Sequence, residues 1–211
     1  MDSQAERPRA HGKVSLARTD YHHELPRMSA STGKNVSAIG FLTAIEHAEH
    51  GLFGGYLILN TSGRPLEFHC TAPVKANRAQ EILYGPTLRP FLFGEQIGQT
   101  LLAKAKIAPL LVCTDMEPIL AAREFSEVPL LLVLESTNAT VEQDRSATLT
   151  KTFELGCRRA RVLRSHSGDE DVVKDRWQVA HIDSLDLLEP FTRIREALEE
   201  AQKTARPASA A

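Results

Sequence analysis

Long apolar runs are missing from this chain. The longest uninterrupted one is Leu130 to Leu134, far short of the roughly 20 residues that a membrane-spanning helix needs. Cysteine is scarce, with three in 211 residues. An odd number of widely spaced cysteines makes no disulfide framework and fits a reducing cytoplasm. Neither sign of charge dominates: 25 Lys and Arg face 27 Asp and Glu, for a net charge of -2. No segment therefore carries the basic excess of a dedicated nucleic-acid binder. The N-terminus, MDSQAERPRAHGK, has charges but no apolar core, so it is not expected to act as a secretory signal. What remains is ordinary: hydrophobic residues at 42% and charged residues at 25% are the usage of an average soluble globular chain. Collagen-like, coiled-coil and wholly disordered classes are excluded on that ground.

Residues 1–35 carry Ser, Arg, Pro and Gly among scattered apolar residues without period, which predicts a disordered tail. A single α+β domain is expected over 36–204, with a second short tail over 205–211. Within the domain, β-prone residues over Val36 to Ala48 and Phe53 to Asn60 predict two strands. The turn Thr61-Ser62-Gly63-Arg64 leads to a third over Pro65 to Val74. Asn77 to Tyr84 reads as a short helix stopped by Gly85 and Pro86. Leu92 to Ile107 reads as a longer one, its apolar residues recurring at three and four. Pro109 to Thr114 and Val128 to Glu135 are short apolar runs, the pattern of strands covered on both faces. Met116 to Phe125 between them is helical, with Pro118 in its first turn. Thr137 to Thr150 is polar and reads as a loop. Thr152 to Ser165 and Val172 to Ile182 are predicted as the strands of a hairpin joined by His166 to Asp171. A helix from Leu187 to Gln202 closes the chain. Asp186 or Ser184 is its cap, and Leu187, Phe191, Ile194, Leu198 and Ala201 form its apolar stripe. The fold class is therefore α+β: a mixed, mainly antiparallel sheet with helices packed on it, in the order β-β-β-α-β-α-β, then a β-hairpin and a C-terminal helix.

Over residues 36–136 this order resembles the ribonuclease H-like fold. The hairpin Gly55 to Leu66 is separately similar to those of PAS, GAF or roadblock-type domains. The first resemblance implies Mg²⁺ held by carboxylates on the first strand, the first helix and the end of the fourth strand. Hard cations take oxygen ligands, and two of them can activate water and steady a leaving oxygen. The matching acids are Glu46, Glu95 and Asp115. The sequence departs from the pattern at the first strand, where residues 36–45 carry no acid and Glu46 comes late. The plainer account of Asp115 is a cap on the helix that starts at Met116.

Other residue sets carry weaker chemistry. His47, His50, His69, Cys70 and Cys113 include metal-ligating types, yet no C-x-x-C occurs and the spacing of a zinc site is absent. Alternation puts Phe68 and Cys70 on one face of a strand and Glu67 and His69 on the other. Cys113, inside PLLVC, reads as a buried thiol and not a nucleophile. Gly51, Gly54 and Gly55 precede a strand instead of opening a helix, so they cradle no phosphate. They read as a bend or bulge. Arg159 and Arg161 share a strand face, and on the hairpin reading Arg176 and Trp177 lie on the partner strand. Cations with an aromatic suit an anion or a nucleic acid. Asp169, Glu170, Asp171 and Asp175 in the same hairpin would neutralise them by cross-strand pairing.

The expectation is a cytoplasmic, non-catalytic binding or regulatory module for a protein or small-molecule partner, with no cofactor, no metal and no membrane. Nucleic acid is the less favoured ligand. The alternative is a Mg²⁺-dependent phosphodiesterase or nuclease of ribonuclease H-like topology.

Overall fold

The computed structural model describes residues 37–135, 149–180, 182 and 185–205, all within one compact unit, Thr32–Ala211. The tail expected over 1–35, most of the loop expected over Thr137 to Thr150 and the last residues, 206–211, lie outside the described residues.

Seven strands form one sheet in the order β3-β2-β1-β4-β5-β7-β6. They are β1 Ala38–His47, β2 Gly51–Asn60, β3 Pro65–Cys70, β4 Leu111–Thr114, β5 Leu130–Leu134, β6 Thr150–Leu155 and β7 Arg158–Leu163. The pairs β1–β2, β2–β3, β5–β7 and β6–β7 are antiparallel, whereas β1–β4 and β4–β5 are parallel. The sheet is thus mixed and mainly antiparallel, and the class is α+β. Three antiparallel strands followed by helical crossovers to two parallel, buried strands is the arrangement that the ribonuclease H-like resemblance implies.

Helix α1, Arg78–Tyr84, starts at a reciprocal cap. Asn77 accepts from the Gln80 N–H, and the Gln80 side chain accepts from the Asn77 N–H, so two unpaired N–H donors are satisfied at once. Helix α2 runs over 88–104, with a π-helical middle at Phe91–Gln99 between α-helical Leu88–Pro90 and Thr100–Lys104. A 3-10 helix, Glu117–Phe125, joins β4 to β5. Helix α3 is Asp169–Ala180 and helix α4 is Glu189–Ala205.

Two apolar clusters sandwich the sheet. On one face Leu42, Tyr56, Ile58, Val112 and Leu130 pack against Phe93, Ile97 and Leu101 of α2 and Ile119 of the 3-10 helix. On the other, Phe41, Leu57, Cys113, Leu131 and Val162 pack against Val173 and Trp177 of α3 and Phe191, Ile194 and Leu198 of α4. Phe191 meets Phe41 edge to face, with ring centroids 5.7 Å apart, the favoured geometry for two aromatic quadrupoles. The expected stripe on α4 is buried at Leu187, Phe191, Ile194 and Leu198, while Ala201 is exposed.

The expected hairpin is corrected in its position. Residues 152–165 are not one strand. Gly156, at a φ of 58°, turns the chain so that β6 pairs with β7 through a two-residue loop, with Leu155 opposite Arg158. The left-handed region costs glycine nothing. The residues expected to form the partner strand are helix α3 instead. Its first turn carries Asp169, Glu170 and Asp171, favourable at the positive end of the helix dipole. Lys174 reaches Glu170 one turn back at 2.6 Å, and Val173 and Trp177 share the buried side. Asp169, Val173 and Trp177, each four apart, recur at the helical period and not at the period of a strand.

Gly54 and Gly55 are also reassigned. They sit in the middle of β2 and make no bend. A Cβ on Gly54 would lie 2.1 Å from Cγ2 of Ile97 on α2, and one on Gly55 would lie 2.3 Å from Cγ2 of Ile194 on α4. Each glycine admits one helix layer. Gly55→Val should therefore overpack the α4 interface and cost about 1–3 kcal/mol, read as a lower urea midpoint at unchanged slope. An unchanged midpoint would show that α4 can retreat from β2 without loss.

Candidate functional site

The C-terminal end of β4 holds the most organised polar cluster. In the β1–β4 register Leu42 lies opposite Thr114, which sets Thr43 beside Asp115. The Thr43 hydroxyl, wholly buried, donates to Asp115 Oδ1 at 2.7 Å. Arg195 of α4 pairs with the other oxygen, Oδ2. The Asp115 side chain is 15% exposed, against 40% for Arg195. A nearly buried carboxylate is stable only when its charge is met, and here a guanidinium and a hydroxyl meet it. Asp115 does not cap the helix that follows. That helix starts at Glu117 with Met116 in the cap position and no side-chain cap bond, and the Met116 N–H donates to Oγ1 of Thr114 at 3.2 Å. Thr43 and Arg195 were not singled out from the sequence. Thr43 stands in mid-strand, where the resemblance calls for an acid, and Arg195 is 80 residues from its partner.

The three acids of the metal reading do not converge. Glu46, which is exposed, falls by alternation on the side of Leu42 and Ala44, the face covered by α2. Glu95 is half-buried on α2 itself. Asp115 turns to the opposite face, under α4. Among the described residues no group of three or more His, Cys, Asp or Glu is arranged to hold a metal ion. The donor set does not fit Mg²⁺.

The histidines and cysteines are scattered too. His47 and His50 stack with centroids 4.6 Å apart at the β1–β2 turn, and His47 Nδ1 accepts from the Glu49 N–H. His69 lies 3.1 Å from Glu67, whose carboxylate also accepts the Lys106 N–H. Cys70 packs on the α4 side, where burial pushes its thiol up and Lys104 opposes that rise. Cys113 is fully enclosed, and burial alone pushes its thiol far up. A thiol so disfavoured as thiolate is no nucleophile.

The sheet itself splits the four residues considered for anion binding. Arg159 and Arg161 project from β7 on the α2 side, in rows with Leu134 and Glu154 and with Leu132 and Thr152. Arg176 and Trp177 belong to α3, on the opposite side. Arg176 donates to the Leu110 carbonyl at 2.5 Å, and Trp177, 6% exposed, packs in the core beside Gly156. They form a structural anchor and not part of a shared site with the other two arginines. Arg158 pairs with Asp186 at 3.1 Å.

Two acids of the first turn of α3 are already matched. Asp169 pairs with Arg123 through two hydrogen bonds, at 2.6 and 3.0 Å. Glu170 binds Lys151 of β6 and Lys174 of α3, both at 2.6 Å. Those two hydrogen bonds, Lys151 first, hold the Glu170 carboxyl below its ordinary range.

Two outcomes are expected from these contacts. Asp115→Ala should cost about 1–3 kcal/mol, the scale of hydrogen bonds to a charged group, measured by urea unfolding. A smaller loss would mean that Arg195 finds water at no cost. A carboxyl depressed in the folded state stabilises it above the unfolded pKa of about 4.3 and loses that contribution as pH falls through the lower folded value. Glu170→Gln should accordingly flatten the acid side of the melting-temperature profile below about pH 4.5, and an unchanged profile would remove Glu170 from acid sensitivity. A scan against protein-family models and a search of curated proteins found nothing that matches this chain.

Proposed function

We propose that this chain is a non-catalytic binding module built on a ribonuclease H-like strand order, working in a reducing, cytoplasmic setting. One observation supports the absence of catalysis most directly. The carboxylate at the end of β4 is already neutralised by the chain's own cation, Arg195, and by the Thr43 hydroxyl. In a metal-dependent nuclease that position takes a hard cation shared with further carboxylates. Here the nearest strand position offers a hydroxyl, and Glu46 and Glu95 belong to the other face of the sheet. An ammonium- or guanidinium-neutralised acid gives structure without Lewis acidity. Three free thiols suit the reducing compartment. Among the described residues no helix is long and apolar enough to cross a membrane.

The rival reading, a Mg²⁺-dependent phosphodiesterase or nuclease, draws on the strand order alone. The two part in a cleavage assay with single- and double-stranded DNA and RNA in Mg²⁺. The module should show no turnover above that of Asp115→Asn, which keeps the side chain's shape and removes its charge. Robust Mg²⁺-dependent cleavage by the unmutated chain that vanishes in Asp115→Asn would overturn the proposal.

A further inference from the structure

On the α2 side of the sheet the apolar cluster runs from β2 to Leu132 of β5, with Leu134 and Leu163 at its margin. Beyond that margin the face turns polar. Arg159 and Arg161 stand there side by side on β7, and Thr152 and Glu154, next to them on β6, are exposed. Both arginines are only partly exposed, and Arg161 Nε is shut off from solvent without a hydrogen-bond partner. Among the described residues neither arginine enters a hydrogen bond or an ion pair. Glu154 is opposite Arg159 in register and still does not pair with it. On the hairpin reading the acids of 169–175 would have neutralised this pair. The helix carries Glu170 to the opposite face, where it binds Lys151 and Lys174, and Asp169 is taken by Arg123 of the 3-10 helix.

Two guanidiniums, partly desolvated and unmatched, favour carboxylates brought from outside, which can meet each fork with two parallel hydrogen bonds. Residues two apart on a strand are about 7 Å apart, within reach of carboxylates one turn apart on a helix at about 5–6 Å. On the β5 side each arginine has a leucine beside it, half-buried Leu134 next to Arg159 and buried Leu132 next to Arg161, and half-buried Leu163 follows along β7. That mixture, arginine with apolar side chains, is the composition of protein–protein interfaces. Single-stranded nucleic acid calls instead for aromatic platforms. The chain's single tryptophan, Trp177, is buried on the other face, and the net charge is -2. We infer that the Arg159–Arg161 face of β7 docks an acidic amphipathic helix of another protein, which extends the α2-side layer over β7 and β6. This rests on the binding-module reading and supplies its partner chemistry.

The test uses the full chain and a fluorescein-labelled helical peptide of about five turns, with an apolar stripe flanked by Glu at i and i+4. A second peptide carries Gln in place of each Glu, and an oligothymidylate is the third probe. Fluorescence anisotropy should show binding of the Glu peptide that salt weakens. Arg159→Glu with Arg161→Glu should weaken it about tenfold or more, as should the Gln peptide. Arg159→Lys with Arg161→Lys keeps the charge and loses the fork. It should still weaken binding severalfold, and it serves if the reversal unfolds the chain, which circular dichroism reports. Equal binding of the two peptides, indifference to both double variants, or no binding near 100 μM, a weak affinity of about 5 kcal/mol, would overturn the inference. So would oligothymidylate binding that the same variants abolish, which would assign the face to nucleic acid. Failure here leaves the non-catalytic reading standing, whereas Mg²⁺-dependent cleavage would remove that reading without touching the peptide result.

Discussion

Burial of the central sheet on both faces is the constraint on which the other features depend. Strands β1, β2, β4 and β5 carry apolar side chains in both directions, and separate clusters close over them. The tightest point is Gly54–Gly55 in β2, where α2 and α4 approach from opposite sides to within the radius of a methyl group. Helix α4 can lie against β1 and β2 only because that strand has no side chain at Gly55. Its position in turn delivers Arg195 to Asp115.

This geometry decides what the end of β4 can do. An acid there faces α4 and not α2, so it is separated by the sheet from Glu46 and Glu95. The resemblance in strand order therefore does not bring a metal-binding set with it. A fold constrains where strand ends meet, and the chemistry at those ends depends on which side chains arrive. Here a hydroxyl and a guanidinium arrive, and the cluster ties α4 to the first and fourth strands.

Charge is distributed by the same sheet. Glu170 of α3 and the lysines Lys151 and Lys174 match one another on the α4 side, with Lys174 also 5.6 Å from the centre of the Phe153 ring. Arg159 and Arg161 of β7 are left on the α2 side, between Leu134 and Leu132 of β5 and Glu154 and Thr152 of β6. A segment that looks balanced when its charges are summed along the chain is thus unbalanced across the sheet. Net charge per segment cannot report this, because the sheet separates charges that are adjacent in sequence.

Period-two and period-four apolar patterns, with glycine and proline as stops, were enough to find β1 through β5, α1, α2 and the C-terminal helix within a few residues. These signals are local: one strand's alternation and one helix's stripe lie within a few turns of chain. The same local signal misled at 169–180, where Val172 and Val173 suggest a strand and the helix is settled by the Glu170–Lys174 pair and by Trp177 packing into the core. The α+β class and the buried character of Cys113 also followed from the sequence. Tertiary structure alone decided that Asp115 answers to Thr43 and Arg195, 72 and 80 positions away. It alone put Arg159 and Arg161 on the opposite side from Arg176 and Trp177. Sequence determines which residues share a face of their own element, since that depends on backbone periodicity. Which element covers that face depends on how distant segments pack, and no local pattern records it.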